Sequence, residues 1–201
     1  SLPGNPIKDI YNKSEDTRHA VKETVQNGYL EGSRLSEDYC ENGITFHIDW
    51  ESGQKTGFFL DQRDNRALVA RYAKDKKVLN AFSYTGVISL YALKGGATQV
   101  TSIDISQKAL DLGEMNVSQL GSEYAEKHSS VKADIIKDLK NLHEEYDMII
   151  LDPPAFAKRM SARHRAIQAY KRINEAALRK LPKGGILFTF SCSQVVTRSI
   201  F

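Results

Sequence analysis

The sequence predicts an α/β fold built on a parallel, doubly wound sheet. From Lys77 onward, short apolar runs alternate with longer amphipathic stretches, as expected when strands and helices follow one another along the chain. The run YDMIILD is almost continuously apolar, which is typical of a strand that is buried on both faces of a sheet. Connections between parallel strands of one sheet are right-handed, so the helices are expected to cover the sheet.

The alternation places five strands in the second part of the chain, at VLNAF, QVTSID, SSVKAD, YDMIILD and GILFTFSC. Helices are predicted between them at TGVISLYALKGGA, QKALDLGEMNVSQL and AIQAYKRINEAALRKL. Glycines end the first helix, and the stretch PKGG ends the third. Ser106 immediately precedes the second helix, where its hydroxyl can cap the free backbone N–H groups.

Three divisions are predicted: a small α+β unit over residues 1–53, a connector and helix over residues 54–76, and the α/β domain over residues 77–201. The first unit contains a predicted helix from Thr17 to Gln26 and the alternating strand segment ITFHIDW. The chain starts at Ser1 and stops at Phe201 without an obvious domain end. We therefore expect a fragment.

Composition excludes several classes of protein. The chain has 41% apolar and 26% charged residues, as an ordinary soluble globular protein has. No apolar run is long enough to cross a bilayer and no signal peptide is recognisable, so we expect no membrane partner. Two cysteines, Cys40 and Cys192, make no disulfide framework, which favours a cytoplasmic location. The histidines are scattered and lie away from the cysteines, so we expect no metal site.

Basic residues concentrate between Ala155 and Lys183, where nine lysines and arginines are opposed only by Glu175. Such a run is either the solvated face of a helix or a patch that binds nucleic-acid phosphates. Charge alone leaves both interpretations open. The candidate nucleic-acid contacts within the run are Lys158, Arg163, Arg165 and Arg172.

Ligands of parallel α/β sheets bind beyond the carboxyl ends of the strands. Four segments are predicted at that edge, namely FSYTG, IDIS, DPPAF and SCS. The first segment has only Gly86 in place of a full G-x-G-x-x-G motif, which disfavours a dinucleotide cofactor. S-adenosyl-L-methionine carries no phosphates, so its first turn tolerates more side chains.

Three aspartates follow predicted strands. Asp104, 18 residues after Gly86, can accept hydrogen bonds from both hydroxyls of a ribose, and a helix-capping role is the alternative. Asp134 can reach an adenine amino group or belong to a surface loop. Two prolines present Asp152 rigidly at the sheet edge, which suits either a loop that contacts a target base or merely a stiff loop.

Cys192 lies between two serines at the end of the last predicted strand. Four interpretations are open: a packed core residue, a redox thiol, a metal ligand or a nucleophile. Its predicted place beside the DPPAF strand favours the nucleophile. The small polar neighbours Ser191 and Ser193 also favour it, because they need not seal the thiol in a core.

Several stretches resemble those of a known family, the bacterial 23S ribosomal RNA cytosine-5 methyltransferases of the large-subunit methyltransferase I type. In the α/β domain they are VLNAFSYTG, DIS, LDPPAFAK, YKRIN and LFTFSCS. Before it, IYNKSEDTRHA, ENGITF and GQKTGFFLDQRDNR resemble the small central domain of that family. The resemblance covers nearly the whole chain.

The resemblance implies a Rossmann-like class I methyltransferase sheet and S-adenosyl-L-methionine as cofactor. Phe82, Tyr84, Thr85 and Gly86 would line the methionine end of the cofactor. Asp104 would hold the ribose, and Ile105 and Asp134 would border the adenine. The site would be closed from the connector by Gln62 and Arg63.

The resemblance also implies methylation of carbon 5 of a cytosine in 23S ribosomal RNA. Cys192 would be the nucleophile, and Asp152 would face both the reactive end of the cofactor and the base. The loop that receives the base would comprise Pro153, Pro154 and Phe156. A homodimer is left open.

The chain also departs from the family pattern, and other functions remain open. TGVI stands where the family commonly has TGGF, and an upstream RNA-binding PUA module and the closing strands are not part of the sequence. One alternative is a methyltransferase acting on guanine N7 or an exocyclic amine, neither of which needs Cys192. Another is a non-catalytic, methyltransferase-like RNA-binding module. The missing glycines argue against a nicotinamide oxidoreductase.

Overall fold

The computed structural model describes residues 7, 9–15, 26–33, 38–142 and 145–201. The chain divides into two compact units, Ser1–Gln62 and Arg63–Phe201. Their boundary falls inside the predicted connector. The predicted helix from Thr17 to Gln26 lies outside the described residues, apart from Gln26 itself.

The first unit contains two antiparallel strand pairs among its described residues. They join β1 (Ile10–Asn12) to β2 (Gly28–Glu31), and β3 (Asp38–Glu41) to β4 (Ile44–His47). Asn42 and Gly43 connect the second pair with φ angles of 52° and 76°, the left-handed values that a two-residue hairpin turn requires. The buried rings of Phe46 and Phe58 pack with centroids 5.1 Å apart. A 3₁₀ helix, Leu60–Gln62, ends the unit.

The second unit contains a parallel sheet, and the α/β prediction is confirmed. The strands described here are β5 (Lys77–Ala81), β6 (Gln99–Asp104), β7 (His128–Lys132), β8 (Met148–Leu151) and β9 (Ile186–Thr189). They pair in the order β7-β6-β5-β8-β9, and each pair is parallel. The α-helices are α1 (Arg63–Tyr72), α2 (Val87–Lys94), α3 (Gln107–Leu120), α4 (Ser122–Ala125), α5 (Ile135–Asp138) and α6 (Arg163–Lys180). Two 3₁₀ helices, Leu139–Asn141 and Met160–Ala162, complete the unit.

The core of the second unit lies along β5 and β8, which have neighbouring strands on both sides. Leu79 and Ile149 are fully buried on these strands, as the apolar run predicted. Tyr170 and Ile173 face the same core from α6, whose outer face is charged. Within the described ranges, no helix has both the length and the apolar character needed to cross a bilayer.

The observed elements differ from the predicted ones mainly at their ends. The strand predicted at VLNAF ends at Ala81 because Phe82 has a φ of 61°, which an extended strand cannot accommodate. The strand predicted at GILFTFSC ends at Thr189, so Cys192 lies in a loop and not in the sheet. Helices α4 and α5 were not predicted, since four residues are too few to show a helical period.

A chain of hydrogen-bonded polar side chains runs from β5 through α2 and β6 to β7, buried at its start and half-buried at its last member, His128. The Asn80 amide donates to Ser89 Oγ at 2.9 Å, and Ser89 Oγ lies 2.7 Å from Ser102 Oγ. Ser102 Oγ in turn lies 2.8 Å from His128 Nε2. Burial lowers the pKa of His128 from 6.5 to about 4, so the ring is neutral in the folded protein near neutral pH.

Candidate functional site

The predicted site loops follow neighbouring strands and leave the sheet at one edge. Ala81 at the end of β5 pairs with Ile103 of β6 and with Leu151 of β8. Leu151 pairs in turn with Thr189 at the end of β9. Because the strands are parallel and end in register, the four segments predicted from the sequence emerge side by side.

The first loop, residues 82–86, holds its backbone in an unusual conformation. Phe82 and Tyr84 have φ angles of 61° and 49°, and Gly86 has a φ of 72°. Non-glycine residues adopt this left-handed region at an energetic cost, so the surrounding contacts must hold the loop. Backbone hydrogen bonds contribute to this: Ser83 N donates to Ile103 O at 3.0 Å, and Gly86 N donates to Ser83 O at 2.9 Å.

The loop packs closely on α3, where Gly86 meets Gly113. A Cβ atom on Gly86 would lie 3.3 Å from the Cα atom of Gly113, and one on Gly113 would lie 3.5 Å from the Thr85 carbonyl. Asn116, one turn further along α3, is fully buried and donates to Thr85 O at 3.3 Å. Neither Gly113 nor Asn116 was predicted as a site residue. A glycine inside a predicted helix signals such a close approach.

Asp104 lies half-buried at the end of β6, directly beside this loop. Its Oδ2 accepts from Tyr84 N and its Oδ1 accepts from Ser106 N, both at 2.9 Å. A carboxylate has about four acceptor positions, so both oxygens can accept further hydrogen bonds. The next residue, Ile105, is 67% exposed and offers an apolar surface next to the carboxylate. Ser106 caps α3 as predicted, since its side chain accepts from Ala109 N.

Asp134 follows β7 and its carboxylate has two partners. One oxygen accepts from Ile136 N at 3.1 Å and thereby caps α5. The other lies 2.9 Å from Lys137 Nζ, and this hydrogen bond and charge lower the pKa of Asp134. The predicted adenine contact stays a prediction, while the capping contact is present in the structure.

The thiol of Cys192 lies against the DPPAF loop. Asp152 begins that loop half-buried, with its backbone N donating to Ala81 O at 3.4 Å. Pro153 is buried, and its carbonyl oxygen accepts from Cys192 Sγ at 3.6 Å. Cys192 itself is exposed, which excludes the packed-core interpretation. Among the residues that the structure describes, no cluster of metal-ligating side chains surrounds it.

Ser193 joins three parts of the site, a role that was not predicted from the sequence. Its side chain is buried, with 3% of the residue exposed. Its Oγ accepts from Ala157 N at 3.3 Å and lies 3.0 Å from the hydroxyl oxygen of Tyr170. The Tyr170 ring also packs against Phe156 with centroids 4.6 Å apart. The hydroxyl of Ser193 thus ties the cysteine loop to the DPPAF loop and to α6.

The predicted RNA contacts differ in exposure. Pro154, Lys158, Arg165 and Arg172 are exposed, whereas Phe156 is half-buried against Tyr170. Arg163 begins α6, and its Nε atom is buried without a hydrogen-bond partner among the described residues. Gln62 ends the first unit and Arg63 begins the second, and their closing of the site stays a prediction.

Comparison with known proteins gives consistent matches. A family model described as S-adenosylmethionine-dependent methyltransferase matches residues 16–197. Two similar curated proteins are both called ribosomal RNA large subunit methyltransferase I. The one from Alteromonas mediterranea is 48% identical over 98% of this chain and 50% of its own length. The one from Pseudoalteromonas translucida is 42% identical over 98% of this chain and 51% of its own length. The chain therefore spans about half the length of the curated relatives it matches.

Solved structures are similar in fold. SMU.776, crystallised with SAH, has a TM-score of 0.71 and 30% sequence identity, and the match covers 87% of this chain and 47% of that one. A SAM-dependent methyltransferase from Agrobacterium tumefaciens has a TM-score of 0.66 and 22% identity over 92% of this chain and 60% of its own. The second match supports the arrangement of strands and helices alone.

Proposed function

Because the chain belongs to the family of S-adenosylmethionine-dependent methyltransferases, we propose that it methylates carbon 5 of a cytosine in 23S ribosomal RNA. The observation that carries this proposal is the placement of an exposed thiol, Cys192, 3.6 Å from the carbonyl oxygen of Pro153. Methylation of an amine or of guanine N7 needs no thiol at this position. A ribosomal RNA substrate also implies a cytoplasmic location.

The residues at the ends of β5 and β6 suit S-adenosylmethionine. The carboxylate of Asp104 is held by two backbone N–H groups and keeps acceptor positions for the hydroxyls of a ribose. The exposed side chain of Ile105 suits an apolar base edge. The loop of residues 82–86 would enclose the methionine end. When bound, S-adenosylmethionine supplies a methyl group that its sulfonium makes electrophilic.

Cys192 overcomes the low nucleophilicity of carbon 5 of cytosine. Its thiolate adds to carbon 6, and the electrons of the ring double bond move to carbon 5, which becomes enamine-like and able to accept the methyl group. After transfer, a base removes the proton from carbon 5. The bond between Cys192 and carbon 6 then breaks, and the thiolate leaves as the double bond forms again.

Asp152 is the candidate for stabilising the base during this addition. Negative charge develops at ring nitrogen N3 as the thiolate adds, and the carboxyl group of Asp152, when protonated, can donate a hydrogen bond to it. The two prolines that follow fix the backbone of this loop. The target cytosine must be unpaired or flipped out of a helix to reach the thiol.

The basic residues beside the loop suit an RNA backbone. Lys158 exposes its side chain on the segment between the DPPAF loop and α6, and Arg165 and Arg172 expose theirs on α6 itself. Arginine binds phosphate with two parallel hydrogen bonds, and such contacts make affinity depend on salt. This arrangement supports the patch interpretation over an uninvolved solvated face.

A covalent adduct tests the mechanism. RNA with 5-fluorocytosine at the target position should accumulate a protein–RNA adduct, because fluorine cannot leave carbon 5 as a proton does. Cys192→Ala should abolish both the adduct and methylation while keeping S-adenosylmethionine affinity. Cys40→Ala is the matched control, since Cys40 is also exposed but lies on β3 of the first unit. Methylation at near wild-type rate in Cys192→Ala would refute the proposal.

A further inference from the structure

A cleft lies between the 3₁₀ helix Leu139–Asn141 and the C-terminal half of α6. Its volume is about 330 Å³, and we call it the basic cleft because its lining residues are Lys140, Arg172, Glu175, Ala176, Arg179 and Lys180. Four of these side chains are cationic and one is a carboxylate. Neither Lys140 nor the cleft itself was predicted from the sequence.

The cationic side chains meet across the cleft from two separate elements. Arg172 and Arg179 are seven residues apart on α6, and that spacing puts them on one face of the helix. Lys140 faces them from the 3₁₀ helix. Lys180 donates to the carbonyl oxygen of Leu142, which orients its side chain at the rim.

Three of these charges are left for a ligand. Within the described parts of the chain, Lys140, Arg172 and Arg179 have no ion-pair partner. The carboxylate of Glu175 lies 3.8 Å from Lys171 Nζ, so part of its negative charge is already compensated. Like charges gathered in one concave site repel each other, and an anion relieves that repulsion.

The helix dipole explains only part of this cluster. Cations in the last turn of a helix are stabilised by its negative end, which accounts for Arg179 and Lys180. The effect fades within one turn. It therefore does not account for Arg172, two turns earlier, or for Lys140 on another element.

We propose that the basic cleft binds backbone phosphates of the RNA substrate, at a distance from the target base. The inference rests on the proposed function, because it assumes that the substrate is RNA. Arg163 begins α6 next to the site loops, and Arg179 follows 16 residues later, about 24 Å along the helix. An RNA held at Cys192 must extend over this length to reach the cleft. Guanidinium groups match the geometry of phosphate oxygens.

The test uses the full chain and two RNA probes, a ribosomal RNA stem-loop longer than α6 and an oligonucleotide too short to span it. The double variant Lys140→Glu/Arg179→Glu reverses the charge of two cationic side chains that line the cleft. The control, Lys74→Glu/Lys127→Glu, changes net charge equally at exposed lysines elsewhere in the second unit. S-adenosylmethionine affinity, unchanged in both variants, verifies that the unit remains folded.

We expect the cleft variant to bind the stem-loop at least tenfold more weakly at about 0.1 M salt, with a salt slope reduced by about 1.5 to 2. Its affinity for the short oligonucleotide should match that of the control. Equal weakening of the stem-loop by both variants would overturn the inference, because net charge alone would explain it. A cleft variant that binds the stem-loop like the control and has lost only the binding of inorganic phosphate would also overturn the inference.

These outcomes are separate from those of the proposed function. If Cys192→Ala remains active while the cleft variant loses the stem-loop, the cysteine mechanism fails and the cleft stands. If Cys192→Ala is inactive and the cleft variant binds like the control, the cleft inference fails alone.

Discussion

At the scale of single residues, Ser193 is the group whose importance only the structure reveals. Its buried hydroxyl accepts from Ala157 N and bonds with Tyr170, and it immediately follows Cys192 in the chain. Removing it leaves the buried Ala157 N–H without a partner, which costs about 1–3 kcal/mol. The thiol would then no longer be fixed over the DPPAF loop.

We therefore expect Ser193→Ala to lower the rate of methyl transfer while S-adenosylmethionine affinity stays unchanged. Tyr170→Phe should have a smaller effect of the same kind, because Ala157 keeps its acceptor and the ring keeps its contact with Phe156. Ser199→Ala is the control, since that hydroxyl is exposed and bonded to Thr197. Single-turnover rates at saturating RNA and cofactor measure the effect. A Ser193→Ala rate equal to the control rate would leave Ser193 with a packing role only.

At the scale of elements, the hydrogen-bonded polar chain makes the sheet sensitive to acid. His128 on β7 is neutral when folded, with a pKa of about 4 instead of 6.5, because burial disfavours its charged form. The unfolded chain takes up a proton below pH 6.5 and the folded chain does not until about pH 4. This group therefore leaves stability unaffected above pH 6.5, and stability falls as the pH drops from 6.5 to about 4.

The loss should reach about 2 kcal/mol between pH 7 and pH 5. Urea unfolding at the two pH values measures it, and His128→Gln should remove this part of the pH dependence while keeping a polar partner for Ser102. The carboxyl groups titrate equally in the wild type and the variant, so their contribution to the pH dependence cancels in the comparison. A His128→Gln protein with the same loss of stability as the wild type would show that His128 does not cause it.

At the scale of the whole molecule, periodic segments could be predicted and long-range contacts could not. Strand β6 is observed at the residues predicted, Gln99–Asp104, because its apolar alternation and flanking turns are local signals. The left-handed conformations of Phe82 and Tyr84 are accompanied by hydrogen bonds from Ser83 N and Tyr84 N to Ile103 and Asp104, 20 residues further along the chain. The burial of Ser193 depends on partners 36 and 23 residues away. The order of site loops could thus be predicted, while the contacts that fix them could not.

The same site should link cofactor binding to the stability of the second unit. A ligand present at about 100 times its Kd stabilises the folded state by about 2.7 kcal/mol, provided the unfolded chain does not bind it. Asp104→Ala removes a charged acceptor, worth about 1.5–3 kcal/mol of affinity. At the same concentration of S-adenosylmethionine, we expect the variant to retain half of that stabilisation or less.

Thermal unfolding with and without S-adenosylmethionine measures this linkage, and the shift in Tm is compared rather than Tm itself. The shift separates the two roles of Asp104, since the loss of its hydrogen bonds to Tyr84 N and Ser106 N lowers Tm with and without ligand alike. Asp111→Ala is the matched control, because Asp111 is exposed on α3 and its Oδ1 accepts from Gln107 Nε2 at 2.8 Å. A shift in Asp104→Ala as large as in that control would mean that the carboxylate orders the loop without touching the cofactor.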